Sequence, residues 1–317
     1  MEESMEAAKN EALIDNKEAL AVIYKAVLEL SNHDDLSDIQ YADVPILKKA
    51  TEQFFENVPL TFLLPAFPAK SPSTAKTSGI HPDLGEVLAL KSLDEMCKKI
   101  SSVYAPGARV VICSDGRVFS DVVSVPDAHI DEYGEWIENI IREFKLSHLS
   151  TFSMDDLYPD TKGDLLRERL VWRYAKSTDE IRFLVINDDN YRALFNGVHK
   201  FMMEDHGGLA ENKTLSKNQL SKKTKLLTYE LIRRSDAWSE LLTDQFGDVL
   251  RLSIHAYPIN HSKFGVKLLS SSDKWATPWH NVTVKVDGAF QLMHKSKALE
   301  LGATEKRLGG KYVYFEV

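Results

Sequence analysis

A polar segment directly follows one of the predicted buried strands. Arg109-Val-Val-Ile-Cys113 is apolar enough for such a strand and continues into Ser114-Asp-Gly-Arg117. The glycine permits a tight turn, so we expect Asp115 and Arg117 to face the crevice at the strand end. Arg117 could grip a phosphate or carboxylate with two hydrogen bonds; alternatively, the two residues only pair and brace the turn. Two further polar residues extend this group: Ser120 and Asp121.

A second group of cations lies in a proline-rich loop. The apolar run over 59–64 predicts a buried strand, and four prolines in residues 65–82 exclude a regular element after it. Ordered lysines and hydroxyl groups suit an anion, so Lys70, Ser71 and Lys76 are candidate ligands. The alternative is a solvated loop whose lysines are incidental.

Two histidines occur near the ends of predicted elements in the last third of the chain. Arg251-Leu-Ser-Ile-His255 predicts a strand with Arg251, Ser253 and His255 on one face. An aromatic turn adds two further candidates: Trp279 and His280. Imidazole exchanges protons near neutral pH, so both histidines are candidate acids or bases. A structural role is the alternative for each.

A basic stretch interrupts this acidic protein. Residues 217–234 carry six basic side chains and one acidic side chain. Such a patch could draw an anionic substrate, although a solvated helix face explains the lysines equally simply. Arg233 and Arg234 precede the apolar Trp238, and Arg234 is a candidate partner for a substrate carboxylate.

One short motif suggests metal chemistry. His81-Pro-Asp83 matches the start of an iron-binding facial triad, with His255 or His280 as the third ligand. A chance match in an ordinary loop is the alternative. The sequence has no P-loop, dinucleotide-binding glycine motif, hydrolase nucleophile elbow or H-E-x-x-H zinc motif.

The composition indicates an ordinary globular protein. Its 39 basic and 47 acidic residues give a net charge of −8, which disfavours general binding of nucleic acids. Cys97 and Cys113 cannot form a disulfide framework or a Cys-x-x-Cys zinc site. The acidic first residues lack the features of secretory and transit peptides, and no apolar stretch is long enough to span a membrane. We therefore expect a cytoplasmic protein that binds neither nucleic acid nor membrane.

The order of the elements predicts an α/β fold. Strand, helix and strand signals over 59–113 predict a parallel βαβ unit, whose helix we expect to begin at the capping box of residues 92–95. Residues 128–246 are predicted to be mostly helical, and strands return after residue 249 to complete the same sheet. The fold class is a Rossmann-like mixed sheet flanked by helices, with a largely helical middle insertion. Two parts are predicted: an N-terminal helical segment over 1–55 and a single α/β catalytic domain over 56–317, on which residues 128–246 pack.

Several of these segments, in this order, resemble a known family, the isonitrile (isocyanide) synthases of pyoverdine/dityrosine biosynthesis. The similarity extends from about residue 60 to the C-terminus, and the first 55 residues carry no such signature. The motifs that carry it are Phe67-Pro-Ala-Lys-Ser-Pro72, Pro82-Asp-Leu-Gly-Glu86, Cys113-Ser-Asp-Gly-Arg-Val-Phe119, Arg251-Leu-Ser-Ile-His255, Thr277-Pro-Trp-His280 and Leu292-Met293.

The resemblance implies an enzyme that converts the α-amine of L-tyrosine or L-tryptophan into an isonitrile, with tyrosine favoured. It implies that the carbon comes from C2 of ribulose 5-phosphate, that no metal or organic cofactor takes part, and that an iron/2-oxoglutarate oxygenase acts next in the pathway. An iron-dependent oxygenase and a non-catalytic binding protein on the same fold are the alternatives.

The implied chemistry gives the candidate residues provisional roles. Cations must bind the sugar phosphate, and an arginine, Arg251 or Arg234, suits the amino-acid carboxylate. Attack of the amine on the C2 ketone and loss of water require a base and an acid, and Trp279 could stack on the aromatic substrate. A Schiff base through Lys70 is a rival mechanism. The catalytic candidates are Lys70, Asp115, Asp121, His255 and His280. The binding candidates are Ser71, Lys76, Arg117, Ser120, Arg234, Arg251 and Trp279.

Overall fold

The computed structural model describes residues 2–37, 39–273 and 276–317, with side chains from residue 15 onward. Within these residues, none of the helices combines the length and the apolar character needed to cross a lipid bilayer. The helices are α1 Glu2–Leu28, α2 Pro45–Phe55, α3 Leu84–Ser101, α4 Gly116–Phe119, α5 Asp127–Glu143, α6 Met154–Leu157, α7 Asp164–Tyr174, α8 Thr178–Asn187, α9 Asp189–Gly208, α10 Lys217–Phe246 and α11 Lys295–Glu300. The strands are β1 Leu60–Pro65, β2 Ala108–Cys113, β3 Leu149–Phe152, β4 Leu250–Ser253, β5 Phe264–Gly265, β6 Val282–Val286, β7 Ala289–Met293, β8 Thr304–Leu308 and β9 Tyr312–Glu316.

The central sheet is parallel and has the order β3-β2-β1-β4-β5. The chain runs outward from β1 to β3 and then returns to place β4 on the other side of β1. This reversal opens a crevice between the carboxyl ends of β1 and β4, which is where ligands bind in such sheets. The predicted α/β class and flanking helices are confirmed.

The remaining strands do not complete that sheet, so this part of the prediction is wrong. They form a second, mixed sheet with the order β7-β6-β9-β8. The Asp287-Gly288 turn pairs β6 with β7, and β9 occupies the other edge of β6. This sheet has a small hydrophobic cluster of its own, which includes Val284, Ala298 and Phe315.

The predicted helical middle contains a strand that periodicity did not indicate. Leu149–Phe152 pairs in parallel with β2 and forms an edge of the central sheet. Its four residues include only two large apolar side chains, too few to show a strand pattern in the sequence. The rest of this region is mostly helical, as predicted, and contains α5 to α10.

The N-terminal helices pack on the central sheet. Helix α1 extends from Glu2 to Leu28, within the predicted N-terminal helical segment. Ile23 and Val27 of α1 and Leu47 of α2 belong to the same hydrophobic cluster as Phe62 of β1. The division at residue 55 stays a prediction.

Helix α3 begins eight residues before the predicted capping box. Asp83 accepts a hydrogen bond from the Gly85 amide at 2.7 Å, and Glu86 accepts one from the Asp83 amide at 2.8 Å. These reciprocal bonds form the capping box of this helix. Ser92 therefore lies inside the helix, and the helix start is set by the residues that also bind the proline-rich loop.

The proline-rich loop is fastened by a buried ammonium group. Lys70 Nζ donates to Asp83 Oδ2, to Glu86 Oε2 and to the Pro278 carbonyl, each at 2.9 Å. Glu86 also accepts a hydrogen bond from the Tyr133 hydroxyl at 3.0 Å. Burial alone would lower the pKa of Lys70, but the charges of Asp83 and Glu86 outweigh it and raise that pKa. Lys70 is therefore a charged structural cross-link.

The same loop lies against the end of β2 without room for a side chain. A Cβ atom added to Gly116 would lie 2.1 Å from the Pro68 carbonyl oxygen and 2.9 Å from Ile130 Cγ2. Because the obstacle is largely backbone, the contact cannot be relieved by a rotamer change. Gly116 allows the loop after β1 to approach the turn after β2.

We predict that Gly116→Ala destabilises the protein by about 1–3 kcal/mol, because the added methyl group overpacks this contact. Gly134 is the control, since a Cβ there meets nothing within 4 Å inside helix α5. Gly134→Ala should gain up to about 1 kcal/mol from helix propensity. Urea unfolding of both variants measures the difference, and equal stability would contradict the packing argument.

We also predict that Lys70→Met costs about 3–5 kcal/mol in the absence of any substrate, because two buried carboxyl groups lose their cation. Lys99→Met is the matched control. Lys99 pairs with Glu29 at 2.6 Å on the surface, where such pairs contribute at most about 1 kcal/mol. Denaturant unfolding of the substrate-free proteins provides the measurement. Similar losses in the two variants would show that Lys70 is not the structural cross-link.

Candidate active site

A cavity of about 410 Å³ opens at the carboxyl edge of the central sheet. The segments that follow β1, β2 and β4 form its floor, and helices α9 and α10 cover it. Its wall is mainly apolar, with aliphatic and aromatic side chains from five parts of the chain. The main apolar contributors are Phe119, Val125, Ile130, Leu194, Val198, Phe201, Leu231, Ile232, Ile254 and Trp279. We refer to this space as the large chamber.

A smaller and more polar space of about 70 Å³ adjoins it. We call it the alcove. Four residues line both spaces: Asp115, Ser235, Ile254 and His255. The alcove has two cationic side chains, Arg251 from β4 and Lys263 from the segment before β5. Two chambers of different polarity therefore meet at a carboxyl group and an imidazole group.

Asp115 lies where the two chambers meet. It follows β2 by two residues and precedes the short helix α4, so the local chain directs it toward the crevice. Burial raises the pKa of Asp115 to about 7. Within the described part of the chain, its Oδ1 atom is buried without a hydrogen-bond partner. A carboxyl group in this state can take up or release a proton near neutral pH.

Both predicted histidines line the large chamber. Burial lowers the pKa of His255 and that of His280 to about 4 each. His280 Nδ1 lies 3.1 Å from the Thr277 hydroxyl, and its ring packs on Phe201 at 4.7 Å between centroids. Near neutral pH both imidazoles are uncharged, so they can donate and accept hydrogen bonds without adding positive charge.

Lys76 of the proline-rich loop lines the large chamber and is already paired with carboxylates. Lys76 Nζ lies 2.6 Å from Asp205 Oδ1 and 3.1 Å from Glu204 Oε2. The Ser71 hydroxyl donates to Asp205 Oδ2 at 2.8 Å. The structure thus brings Ser71 and Lys76 to one wall and joins them through Asp205, which sequence reasoning missed.

Trp279 is buried beside the same loop. Its ring packs on Phe67 with centroids 5.0 Å apart, and its carbonyl accepts the Ser71 amide hydrogen bond at 2.8 Å. Part of the ring reaches the large chamber. The predicted aromatic contact with a substrate is therefore compatible with its location.

Four predicted residues lie outside both chambers, which corrects their expected placement. Arg117 forms ion pairs with three aspartates, Asp127, Asp131 and Asp155, and does not face the crevice. Ser120, Asp121 and Arg234 likewise bond to other side chains. The Ser120 hydroxyl donates to Asp127 at 2.6 Å, and Arg234 donates to Asp121 through hydrogen bonds of 2.6 and 3.0 Å. These contacts join α4 and the residues that follow it to α5, α6 and α10.

Arg251 points into the alcove from the central sheet. Its guanidinium donates to the Ser239 hydroxyl and to the Thr243 hydroxyl, each at 3.2 Å. Burial lowers its pKa, because no carboxylate of the described residues lies within ion-pairing distance. Lys263 was missed from the sequence, since it lies in an irregular segment without a motif. Burial and the charge of Arg251 lower its pKa as well.

The facial triad suggested by His81-Pro-Asp83 is not assembled. His81 contacts Glu132 and stacks on Trp136 with centroids 4.9 Å apart, whereas Asp83 is directed at Lys70. The described residues contain no group of three histidine, cysteine or acidic side chains arranged to hold a metal ion.

Comparison with known proteins shows which family this chain resembles over most of its length. Residues 51–306 match the family model described as pyoverdine/dityrosine biosynthesis protein. The L-tryptophan isonitrile synthase AmbI2 of Fischerella ambigua is 41% identical, covering 86% of this chain and 82% of that protein. An L-tyrosine isonitrile synthase of Pseudomonas aeruginosa is 35% identical, covering 90% and 87%.

A solved structure has the same fold as this chain. The crystal structure of the PvcA protein from Pseudomonas aeruginosa superposes with a TM-score of 0.85 at 34% identity, covering 94% of this chain and 99% of that one. The sequence match and the structural match both extend over most of the chain. The chain therefore belongs to the pyoverdine/dityrosine biosynthesis family.

Proposed function

We propose that this protein is an isonitrile synthase, which converts the α-amine of an aromatic L-amino acid into an isonitrile with a carbon atom from C2 of ribulose 5-phosphate. The observation that carries the proposal is the pair of unlike chambers that meet at Asp115 and His255. The relatives named as isonitrile synthases of L-tryptophan and L-tyrosine support the reaction class.

The large chamber suits the aromatic substrate. Its walls are apolar on most sides, and Phe119, Phe201 and Trp279 provide aromatic surfaces that favour stacked or edge-to-face contacts with another ring. A buried site of this size and character is typical for a small molecule. Two relatives named for tryptophan are 41% and 36% identical and two named for tyrosine are 37% and 35% identical, so the predicted preference for tyrosine stays a prediction.

The residues at the junction suit the proton transfers of this reaction. The amine must be uncharged before it attacks the C2 ketone of the sugar phosphate, and the resulting carbinolamine must lose water to form an imine. Asp115 is the proposed base, because its pKa near 7 lets it accept the proton of the substrate ammonium. His255 and His280 are the proposed neutral hydrogen-bond donors to the C2 oxygen, on which negative charge develops as the amine attacks. Protonated Asp115 can return its proton to that oxygen, which then leaves as water. Lys70 is fully occupied by its carboxylate partners, which disfavours the Schiff-base mechanism.

The proposed reaction also has consequences for the cofactors, the pathway and the cellular location of this protein. We infer that the reaction needs no metal or organic cofactor, that a separate iron/2-oxoglutarate oxygenase consumes the isonitrile acid, and that the protein acts in the cytoplasm.

We predict that the purified protein forms a labelled isonitrile acid from ribulose 5-phosphate carrying carbon-13 at C2, in the presence of a chelator. L-Tyrosine and L-tryptophan are supplied separately, and mass spectrometry detects the added carbon. Ribulose 5-phosphate labelled at C1 is the control and should give unlabelled product. Absence of product with both amino acids would contradict the proposed function.

We predict that kcat/KM rises with pH through a midpoint near 7, because burial raises the pKa of Asp115 to about 7 and the base must be ionised. Asp115→Asn should remove this transition and lower kcat by about 100-fold or more. Asp121→Asn is the control, since Asp121 pairs with Arg234 outside both chambers; it should keep the transition. An unchanged pH profile in Asp115→Asn would exclude Asp115 as the base.

A further inference from the structure

We propose that the alcove is the phosphate subsite, in which Lys263 and Arg251 bind the phosphate group of ribulose 5-phosphate. This inference rests on the proposed function for the identity of the sugar. It assigns Lys263, which neither the motifs nor the composition singled out, to substrate binding. The argument depends on charge balance, on polar lining and on the position of the alcove.

Charge balance separates these two cations from the others near the cavity. Lys70 and Lys76 each contact two carboxylates. In contrast, neither Arg251 nor Lys263 has a carboxylate within ion-pairing distance among the described residues. Asp236, an acidic neighbour of Lys263, is held by Lys176 at 3.0 Å and by the Tyr191 hydroxyl at 2.6 Å. Glu240 adds a more distant negative charge near both cations, but neither cation forms an ion pair within the described residues. Two half-buried cations are therefore available to a dianion.

The lining provides further hydrogen-bond donors to an anion. The hydroxyl groups of Ser235, Ser239 and Tyr257 belong to residues that border the alcove. The volume of about 70 Å³ is several times the roughly 10–15 Å³ that a cavity needs to hold one water molecule. The alcove has room for a phosphate group, whereas the large chamber of about 410 Å³ has room for the ring of tyrosine or tryptophan.

Local packing holds the segment that carries Lys263 in place. The Tyr257 ring stacks on His261 with centroids 4.1 Å apart and an angle of 14°. The Lys263 amide donates to His261 Nδ1 at 3.0 Å. The segment then continues into β5, which pairs with β4. Lys263 is thus positioned beside Arg251 by the same sheet that directs Arg251.

The position of the alcove determines how the sugar lies. With the phosphate on C5 bound by Lys263 and Arg251, the carbon chain extends toward the junction at Asp115 and His255. The C2 ketone then approaches the large chamber, from which the substrate amine arrives. The phosphate therefore acts as an anchor that sets the distance of the ketone from the base.

The test compares Lys263→Gln with the wild type, using ribulose 5-phosphate and unphosphorylated ribulose as alternative substrates. We expect the variant to raise KM for ribulose 5-phosphate about 10- to 100-fold, as for loss of one hydrogen bond to a charged group, while KM for the amino acid stays within about twofold. With ribulose, the wild type and the variant should have equal kcat/KM, because ribulose lacks the phosphate group that Lys263 binds. Lys267→Gln is the matched control: Lys267 is exposed and lies outside the alcove.

A second measurement does not depend on turnover. Calorimetry with inorganic phosphate should detect binding to the wild type and to Lys267→Gln, and weaker binding to Lys263→Gln and Arg251→Lys. Equal effects of Lys263→Gln on both sugars, or unchanged phosphate binding, would overturn the subsite. If the wild type forms no isonitrile but loses phosphate binding on substitution of Lys263, the proposed function fails while the anion site stands.

Discussion

The geometry of the site depends on one buried ammonium group. Lys70 is held by Asp83 and Glu86, which also begin helix α3, and it reaches the carbonyl of Pro278, 208 residues further along the chain. Buried charges are tolerated when such partners surround them, and removing one partner is costly. A single side chain therefore joins the loop after β1 to a helix and to the aromatic turn. The floor and one wall of the large chamber are thereby fixed together before any substrate binds.

The same principle distinguishes the structural charges from those that can act. Arg117 and Arg234 have aspartate partners, as Lys70 and Lys76 have theirs, and such pairs maintain the positions of helices and loops. A buried ionisable group without a counter-charge instead lowers the stability of the free protein and is retained most readily where a ligand supplies the partner. Asp115, Arg251 and Lys263 line the two chambers and form no ion pair among the described residues.

Much of this arrangement could be predicted from the sequence, but only at the level of segments. The apolar runs before residues 65 and 113 correctly indicated parallel strands, and the polar residues after them correctly indicated a crevice. Which side chains enter the crevice depends on the backbone conformation after each strand, and the apolar periodicity of the sequence does not encode that conformation. Arg117 follows Asp115 by two residues, yet helix α4 turns it toward Asp155. Lys263 carries no local signal, because only the pairing of β5 with β4 brings it beside Arg251.

Burial has a common effect on the titratable groups of the junction. It raises the pKa of Asp115 and lowers those of His255 and His280, so in each case the uncharged form is favoured. The same environment acts on a bound amino acid, whose ammonium group loses hydration when it enters the large chamber. Proton transfer from that ammonium to the Asp115 carboxylate converts two buried charges into two neutral groups. The cavity therefore promotes formation of the free amine, which is the nucleophile that the proposed reaction requires.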